Sequence, residues 1–228
     1  MLVEIWSDIA CPWCYVGKRR FEQALASFEH QDDVQVIWRS FELDPAAPRE
    51  RDGDHCARIA AKLGTTLEQA RAMSARMTET AAADGLDFRF DIARSGTTFD
   101  AHRIVHLAAA HDRQDAMKER LLRAHFTEGE LVGDHDTLVR LAGEVGLDEI
   151  EAREVLAGDR YAAEVRDDER TAAALGIGAV PTFVVDRALG ASGAQPPTQL
   201  LGLLRQGWEA SAGRPLAAVG ETCDADGC

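Results

Sequence analysis

The spacing of hydrophobic positions changes along the chain, and each change marks a different class of secondary structure. The N-terminal segment MLVEIWSDI first alternates between apolar and polar residues and then has a short apolar run, which predicts a buried strand. From residue 12 to about residue 30, apolar side chains recur at three- and four-residue steps, which predicts a helix. DVQVIWRSF is rich in β-branched and aromatic residues and predicts a second strand. Strand, helix and strand in this order indicate a βαβ unit with a parallel strand pair.

The pattern from residue 55 to residue 176 is helical. TTLEQARAMSARMTETAAA offers Thr66 as a helix cap, and TTFDAHRIVHLAAAH begins with Thr97 and Asp100 at capping-box spacing. DTLVRLAGEVG carries one apolar stripe, and two more helices are predicted after it. Strands return in VPTFVV and ALGASG, whose short separation is typical of a hairpin, and PPTQLLGLLRQGWEA predicts a closing helix.

This order of elements predicts an α/β, thioredoxin-like fold with a large all-helical insertion. We assign residues 1–50 and 176–212 to the thioredoxin-like domain and residues 51–175 to an inserted helical subdomain. Residues 213–228 are rich in glycine and alanine and are predicted to form a flexible tail that carries a C-x4-C pair.

The composition and charge of the chain exclude some classes of binding partner. The chain has 228 residues, of which 46% are hydrophobic, and a formal net charge of -14, which would repel nucleic acids and anionic membranes. No stretch approaches the roughly 18 uninterrupted apolar residues of a membrane span, and the N-terminus shows no secretory signal. We therefore expect a cytoplasmic protein, in which closely spaced cysteines are more often catalytic or metal-binding than structural.

Two cysteines, Cys11 and Cys14, stand three positions apart in CPWC, where the first strand meets the first helix. Pro12 is favoured at the first helical position, which makes Cys11 the N-cap residue. Free backbone N–H groups and the helix dipole would lower the pKa of a thiol there. The spacing therefore predicts that Cys11 is the attacking sulfur and Cys14 the resolving one, with a merely structural pair as the alternative.

Trp13 and Pro181 are predicted to border this pair. Trp13 has no charge to stabilise a thiolate, and its ring either contacts substrate at the rim or packs on the helical insertion. Pro181 begins the predicted strand in GIGAVPTFVV and has no backbone N–H to donate to a neighbouring strand. The Val180–Pro181 bond is therefore either cis or an ordinary trans bond at the start of a strand. A cis bond beside the cysteines would expose the backbone of Val180 to a substrate strand.

Four motifs together resemble the DsbA-like thioredoxin-fold oxidoreductases, specifically the FrnE-like branch: CPWC, WRSFELDP, TTFDAHR and GIGAVPTFVV. The resemblance spans nearly the whole chain. It implies a cis Pro181 next to Cys11, a helical lid made from the insertion, and a TTFDAHR helix that approaches the site with His102 lining it. The chain departs from periplasmic DsbA in having Trp13 where DsbA has histidine, which argues against a strong general oxidant.

Other polar residues near these motifs are given structural interpretations. Asp8 is expected to be a solvated cap, with proton relay to Cys14 as the alternative, and Lys18 and the two arginines after it are expected to form a solvated face. His102 and His106 share a helix face at ligand spacing, yet no glutamate completes an H-E-x-x-H motif. Cys56 is expected to be a small buried or incidental thiol.

The tail ends in CDADGC, which places Cys223 and Cys228 five positions apart. The resemblance implies that they form a second redox pair that exchanges with Cys11 and Cys14, and incidental oxidation of an exposed tail is the alternative. The two pairs also have spacings that suit a zinc site with four thiolates. We expect no metal, because Pro181 should shield the first pair.

We predict a thiol-disulfide oxidoreductase, with disulfide isomerase as a further activity, that acts on protein or peptide disulfides through the CPWC dithiol. It would need no cofactor, a thiol reductant or reductase would recycle it, and it would bind neither nucleic acid nor membrane; a homodimer is an open alternative to a monomer. The first alternative function is a glutathione-dependent isomerase or transferase of the kappa or 2-hydroxychromene-2-carboxylate isomerase type, in which a serine typically replaces the first cysteine. The second is a zinc-binding module.

Overall fold

The computed structural model describes residues 1–51 and 53–212 of the chain. It begins with β1 (Leu2–Ser7), α1 (Pro12–Ala26) and β2 (Gln35–Ser40). A run of helices follows: α2 (His55–Leu63), α3 (Leu67–Ala83), α4 (Phe99–Ala110), α5 (Gln114–Phe126), α6 (His135–Glu144), α7 (Glu149–Ala157) and α8 (Ala162–Ala174). The chain then forms β3 (Thr182–Val185), β4 (Leu189–Ser192) and α9 (Pro197–Ala212). Within the described ranges, no helix has both the length and the hydrophobicity that a membrane span requires.

The strands form one sheet in the order β2-β1-β3-β4. β1 pairs in parallel with β2, and Ile5 stands opposite Trp38. On its other side β1 pairs antiparallel with β3, where Ile5 faces Phe183, and β3 continues into a hairpin with β4. This is the predicted thioredoxin-like α/β fold, with α2 to α8 lying between β2 and β3 in the chain.

The central strand β1 is buried on both faces, which explains its continuous apolar run. Val3 and Ile5 belong to the main core cluster together with Phe21 of α1 and Leu200 of α9. Trp6 points the other way, and its indole Nε1 donates a hydrogen bond to the carbonyl oxygen of Asp168 in α8 at 2.9 Å. The sheet is therefore sandwiched between helices, and the end of β1 delivers the chain to the cysteine pair.

A second core cluster joins α1 to the helical insertion. Tyr15 and Val16 of α1 pack with Phe88 and with Phe126 of α5. The ring of Phe88 lies 5.9 Å from that of Tyr15 and 4.7 Å from that of Phe126, centroid to centroid, in stacked geometry. Such aromatic pairs each add roughly 0.5–1.5 kcal/mol beyond the burial of their area. The insertion thus holds the helix that carries the cysteines.

Two local predictions need correction. The predicted capping box of Thr97 and Asp100 is wrong: α4 has Thr98 at its N-cap, without a side-chain capping bond. Thr97 Oγ1 instead accepts a hydrogen bond from the N–H of Phe99, and Asp100 pairs with Arg103 at 2.7 Å. The first helix ends at residue 26 rather than near residue 30. The backbone N–H of Ser27, the C-cap residue, donates to the carbonyl oxygen of Ala24 in the last turn, which closes the helix there. By contrast, Thr66 caps α3 as predicted.

Lys18 does not lie on a solvated face, and that prediction was wrong. Only 1% of its side chain is exposed, and its ammonium pairs with Glu22 and, at 3.2 Å, with Asp115 of α5. The ammonium also lies 5.8 Å from the ring centroid of Trp38. A lysine can be buried at this depth because carboxylates from its own helix and from α5 compensate its charge. The periodicity of α1 alone did not reveal those partners.

The packing of α1 against the start of β3 depends on Gly17. A Cβ atom at this position would lie 2.7 Å from Cγ of Pro181 and 3.5 Å from Cζ of Phe183. A distance of 2.7 Å is shorter than carbon atoms tolerate, so any side chain would force the helix and Pro181 apart. The absence of a side chain at residue 17 is what allows Pro181 to approach the helix of the cysteines.

We predict that Gly17→Ala lowers the free energy of unfolding by about 1–3 kcal/mol, because the overlap with Pro181 outweighs the helix propensity of alanine. Gly202→Ala is the matched control: it lies within α9, and its added Cβ would meet no atom of residues 1–51 or 53–212 within 4 Å. That variant should gain roughly 0.5–1 kcal/mol. Urea unfolding of both variants measures the difference, and equal effects of the same sign would contradict the account.

Candidate active site

The N-terminus of α1 presents the cysteine pair. Cys11 is the N-cap residue, with extended backbone angles (φ -93°, ψ 113°), and Pro12 follows at the first helical position, as predicted. The N–H of Cys14 donates to the carbonyl oxygen of Cys11 at 3.0 Å. Both thiols are free; Cys11 retains 5% exposure, whereas Cys14 is fully buried. Of the two sulfurs, therefore, the first is the one that a substrate can approach.

The surroundings of Cys11 favour its thiolate. A hydrogen bond from the Cys14 thiol is the main cause that lowers the pKa of Cys11, and the backbone N–H groups of Cys14 and Trp13 add to it. Burial and the carboxylate of Asp8 act in the opposite direction. The first turn of α1 carries no acidic side chain that would offset the positive end of the helix dipole. The net effect is a thiol that ionises more readily than an ordinary cysteine.

Cys14 behaves in the opposite way. Burial raises its pKa well above the ordinary value, and the hydrogen bond that it donates to Cys11 adds to this rise. The positive charge of Lys118 and the nearby side chain of Ser7 act against the rise. The pair is thus electrostatically asymmetric: one thiol ionises more readily than an ordinary cysteine, and the other holds its proton.

A buried cation from the helical insertion lies beneath the cysteines. Lys118 of α5 is 1% exposed, and its Nζ donates a hydrogen bond to the carbonyl oxygen of Ser7 at 3.1 Å. Burial lowers the pKa of Lys118 to about 8, although the nearby Cys14, Asp8 and Cys11 favour its charged form. A cation at this depth acts through a low dielectric, so its influence on a neighbouring thiol is stronger than at the surface.

Asp8 is buried, which corrects the expectation of a solvated cap. One of its carboxylate oxygens accepts a hydrogen bond from the N–H of Leu43 at 2.8 Å, and the other lies 3.5 Å from Nε2 of His102. Burial would raise the pKa of Asp8, but His102, Leu43 and Thr98 together hold it below its ordinary value. The carboxylate therefore remains charged between the cysteines and α4.

His102 and His106 occupy different environments on α4. His102 is 1% exposed, and burial lowers the pKa of its imidazole. Its polar neighbour in the site is Asp8. His106 lies further along the helix, with Nε2 3.1 Å from Oδ2 of Asp168 and 3.1 Å from Oγ of Ser40. His102 thus lies behind the cysteines, and the side chain of Asp8 stands between it and them.

Val180 and Pro181 face the cysteine pair across the sheet. The Val180–Pro181 peptide bond is cis, the form that the resemblance implies. The thiol of Cys11 lies 3.6 Å from the carbonyl oxygen of Val180, to which it donates. Trp13 is 46% exposed at the rim of the site and borders a cleft beside α2 and α3. The structure therefore brings together Cys11, Cys14, Val180 and Pro181, with Trp13 exposed beside them.

The other predicted cysteines do not enter this arrangement. Cys223 and Cys228 lie outside the described residues, and so do the second redox pair and the four-thiolate zinc site predicted from them. Cys56 is half-buried in α2, with its thiol 3.6 Å from Oγ of Ser74. In residues 1–51 and 53–212, no group of three or more His, Cys, Asp or Glu side chains is arranged to hold a metal ion.

Comparison with known proteins agrees with this geometry. Residues 2–205 match the family described as DSBA-like thioredoxin domain. The chain belongs to this family. A probable DsbA oxidoreductase of Streptomyces coelicolor, SCO1869, is 47% identical, with a TM-score of 0.91 over 100% of this chain and 98% of that one.

Two more distant proteins extend the comparison. YwbO of Bacillus subtilis (strain 168) is 29% identical over 189 residues, which cover 80% of this chain and 86% of YwbO. The cytosolic disulfide reductase DsbM of Pseudomonas aeruginosa is 20% identical, with a TM-score of 0.66 over 92% of this chain and 100% of that one. The DsbA-like fold class is thereby confirmed, and the FrnE-like branch stays a prediction.

Lys118 is the residue of this DsbA-like site that sequence reasoning missed. It lies on the buried face of α5, next to Met117 and one turn before Leu121 and Leu122. A lysine at an apolar position of an amphipathic helix is the signal that would have marked it. Its position next to a cysteine pair more than 100 residues earlier followed only from the tertiary structure.

We predict that Lys118→Met slows resolution by Cys14 about tenfold at neutral pH, since losing a nearby cation raises the pKa of that thiol by roughly one unit. In reduced protein whose other three cysteines are serines, 5,5′-dithiobis(2-nitrobenzoate) releases one thionitrobenzoate when the mixed disulfide forms and a second when Cys14 resolves it. The second release should slow more than the first and should recover at higher pH.

Met117→Leu, on the same buried face of α5, is the control and should leave both releases unchanged. Equal slowing of the two releases in Lys118→Met, without recovery at higher pH, would indicate a structural role only.

Proposed function

We propose that the chain is a thiol-disulfide oxidoreductase that exchanges electrons between its Cys11–Cys14 pair and disulfides of protein or peptide substrates. The observation that carries the proposal is the geometry of the pair: Cys11 is the N-cap of α1, 5% exposed and 3.6 Å from the carbonyl oxygen of Val180, whereas Cys14 is fully buried. The lowered pKa of Cys11 and the raised pKa of Cys14 agree with this geometry. Thiol-disulfide exchange needs a thiolate that attacks first and a second thiol that waits. Membership of the DSBA-like family supports redox chemistry of this kind.

In the reducing direction, the Cys11 thiolate attacks one sulfur of the substrate disulfide. A mixed disulfide forms, and the other substrate sulfur leaves as a thiolate that takes up a proton. Cys14 then loses its proton and attacks Sγ of Cys11, which releases the second substrate thiol and closes the Cys11–Cys14 disulfide. Two electrons have passed from the protein to the substrate, and the same steps in reverse oxidise a dithiol.

The neighbouring residues have proposed roles in these steps. The buried cation of Lys118 stabilises the Cys14 thiolate during resolution, when that thiol must lose its proton. The exposed ring of Trp13 and the backbone of Val180 and Pro181 form the contact surface for the substrate chain. His102 contributes indirectly, by holding Asp8 behind the cysteines. No cofactor is required, and a thiol reductant or a reductase returns the pair to the dithiol.

Two alternatives are weaker. A glutathione-dependent isomerase or transferase would retain an attacking group at residue 11 but would not need a resolving thiol, and Cys14 is present and differently tuned. A zinc-binding module would need Cys223 and Cys228, and the close contact between Cys11 and Val180 leaves the first pair little room for a metal. The cytoplasmic setting remains a prediction from the sequence, and DsbM is a cytosolic protein.

The test is turbidimetric reduction of insulin disulfides with dithiothreitol. We expect wild type to accelerate precipitation and Cys11→Ser to abolish that acceleration, because the attacking sulfur is lost. Cys56→Ser is the control and should retain full activity, since its thiol lies in α2 next to Ser74. A reduced rate in Cys223→Ser would bring the C-terminal pair into the reaction.

Two outcomes would contradict the proposal: wild type without activity above background, or Cys11→Ser with undiminished activity. Glutathione-dependent turnover that survives in Cys14→Ser would favour the isomerase, and stoichiometric zinc that is lost in Cys11→Ser would favour the metal-binding module.

A further inference from the structure

A cleft of about 960 Å³ opens beside the cysteine pair. Pro12 and Trp13 line it, together with residues of α2 and α3 and with His125 of α5. Its volume lies within the range of roughly 300–1,000 Å³ that is typical of small-molecule sites. The cleft is therefore large enough to enclose a compact ligand whose reactive end reaches the rim near Cys11.

The walls of the cleft are mainly apolar. Ile59, Met77, Phe90 and Phe126 line it, so an apolar body would be desolvated favourably there. His125 is the exception: it is 6% exposed, and its buried Nδ1 has no hydrogen-bond partner among the residues that the structure describes. Burial lowers the pKa of His125 to about 4, so the imidazole is neutral and able to exchange a hydrogen bond with a ligand.

Most of the charged side chains that line the cleft are positive, opposite in sign to the net charge of the chain. Arg58, Lys62 and Arg76 line it, and within the described residues none of the three pairs with a carboxylate. The two carboxylates of the lining are already engaged: Asp44 pairs with Arg51, and Asp8 binds the N–H of Leu43. On a chain of formal charge -14, this is a local excess of positive charge.

We propose that the cleft binds small disulfides that combine an apolar body with an anionic group, and presents their sulfur to Cys11. The inference rests on the proposed function and adds a second substrate class to it. Apolar walls hold the body of the ligand, the unpaired cations hold its anionic group, and the position of Trp13 and Pro12 sets the sulfur beside the attacking thiolate.

The reaction balances in the same way as for a protein disulfide. The Cys11 thiolate attacks the small disulfide, a mixed disulfide forms, and one small thiolate leaves. Cys14 loses its proton and closes the Cys11–Cys14 disulfide, which expels the second small thiolate. The dithiol of the protein is the reductant, and each turnover yields two small thiols.

The test compares two aromatic disulfides that differ in charge. Reduced protein whose other three cysteines are serines is mixed with 5,5′-dithiobis(2-nitrobenzoate), which is anionic, or with 4,4′-dithiodipyridine, which is uncharged at pH 7.5. The variant Lys62→Gln with Arg76→Gln removes two charges and breaks no hydrogen bond or ion pair that these side chains make within the described residues. Arg153→Gln removes one exposed charge of α7 outside the cleft, together with its ion pair to Asp136, and is the control for a loss of charge elsewhere on the surface.

We expect the double variant to react roughly threefold to tenfold more slowly with the anionic disulfide at low salt, and this difference to shrink as salt screens the charges. Its reaction with the neutral disulfide, its reduction of insulin and the behaviour of Arg153→Gln should be unchanged. The inference would be overturned if the double variant and wild type reacted with the anionic disulfide at the same rate. It would also be overturned if the double variant reacted more slowly with both disulfides by the same factor.

A binding measurement separates this inference from the proposed function. Cys11→Ser protein is titrated with 8-anilinonaphthalene-1-sulfonate, an anion with an apolar body that undergoes no thiol exchange. Saturable binding that weakens when Lys62 and Arg76 are neutralised supports the site. If binding is equally strong with and without these charges, the cleft inference is overturned even where wild type reduces insulin. If wild type does not reduce insulin, the proposed function itself is overturned.

Discussion

The close approach of α1 to the start of β3 is the contact on which the arrangement of the site depends. Gly17 leaves room for Pro181, and Pro181 in turn brings the carbonyl oxygen of Val180 to 3.6 Å from the thiol of Cys11. If the helix stood further away, Cys11 would remain at a helix N-terminus but would lose its neighbour across the sheet. A backbone contact without chemistry of its own thus determines the environment of the reactive sulfur.

The helical insertion contributes charges to the site as well as covering it. Lys118 comes from α5 and His102 from α4, and both lie within the buried polar group around Asp8 behind the cysteines. The charge of Lys118 lowers the pKa of Cys14, whereas the carboxylate of Asp8 raises the pKa of Cys11. The thioredoxin-like part supplies the sulfurs, and the insertion supplies the cation that favours ionisation of the buried one.

Much of this could be predicted from the sequence, because local signals were strong. Apolar runs and helical periodicity predicted the order of strands and helices, and the combination of Cys11 and Pro12 predicted the helix N-terminus. Lys18, Asp8 and Lys118 could not be interpreted correctly, since their burial depends on partners far away in the chain. Whether a charged side chain on a helix is exposed depends on which other helix packs against it, and the local sequence does not contain that information.

The capping prediction for α4 failed for a related reason. Thr97 and Asp100 have capping-box spacing, yet Asp100 is drawn into pairs with Arg103 and His135, which the local sequence does not specify. The cleft beside Trp13 was likewise not visible in the sequence, because its walls come from segments that are distant in the chain, from Asp8 to Phe126. Long-range packing determined each of these features.

The central claim is that Cys11 and Cys14 ionise in different pH ranges. Thiolate absorbance at 240 nm, followed against pH in reduced protein whose other three cysteines are serines, tests it most directly. We predict that one thiolate appears with a pKa below 9.0, that it disappears in Cys11→Ser, and that the second thiol keeps its proton to well above that value. Two thiols that titrate together near 9.0, or an early titration that survives in Cys11→Ser, would contradict the account.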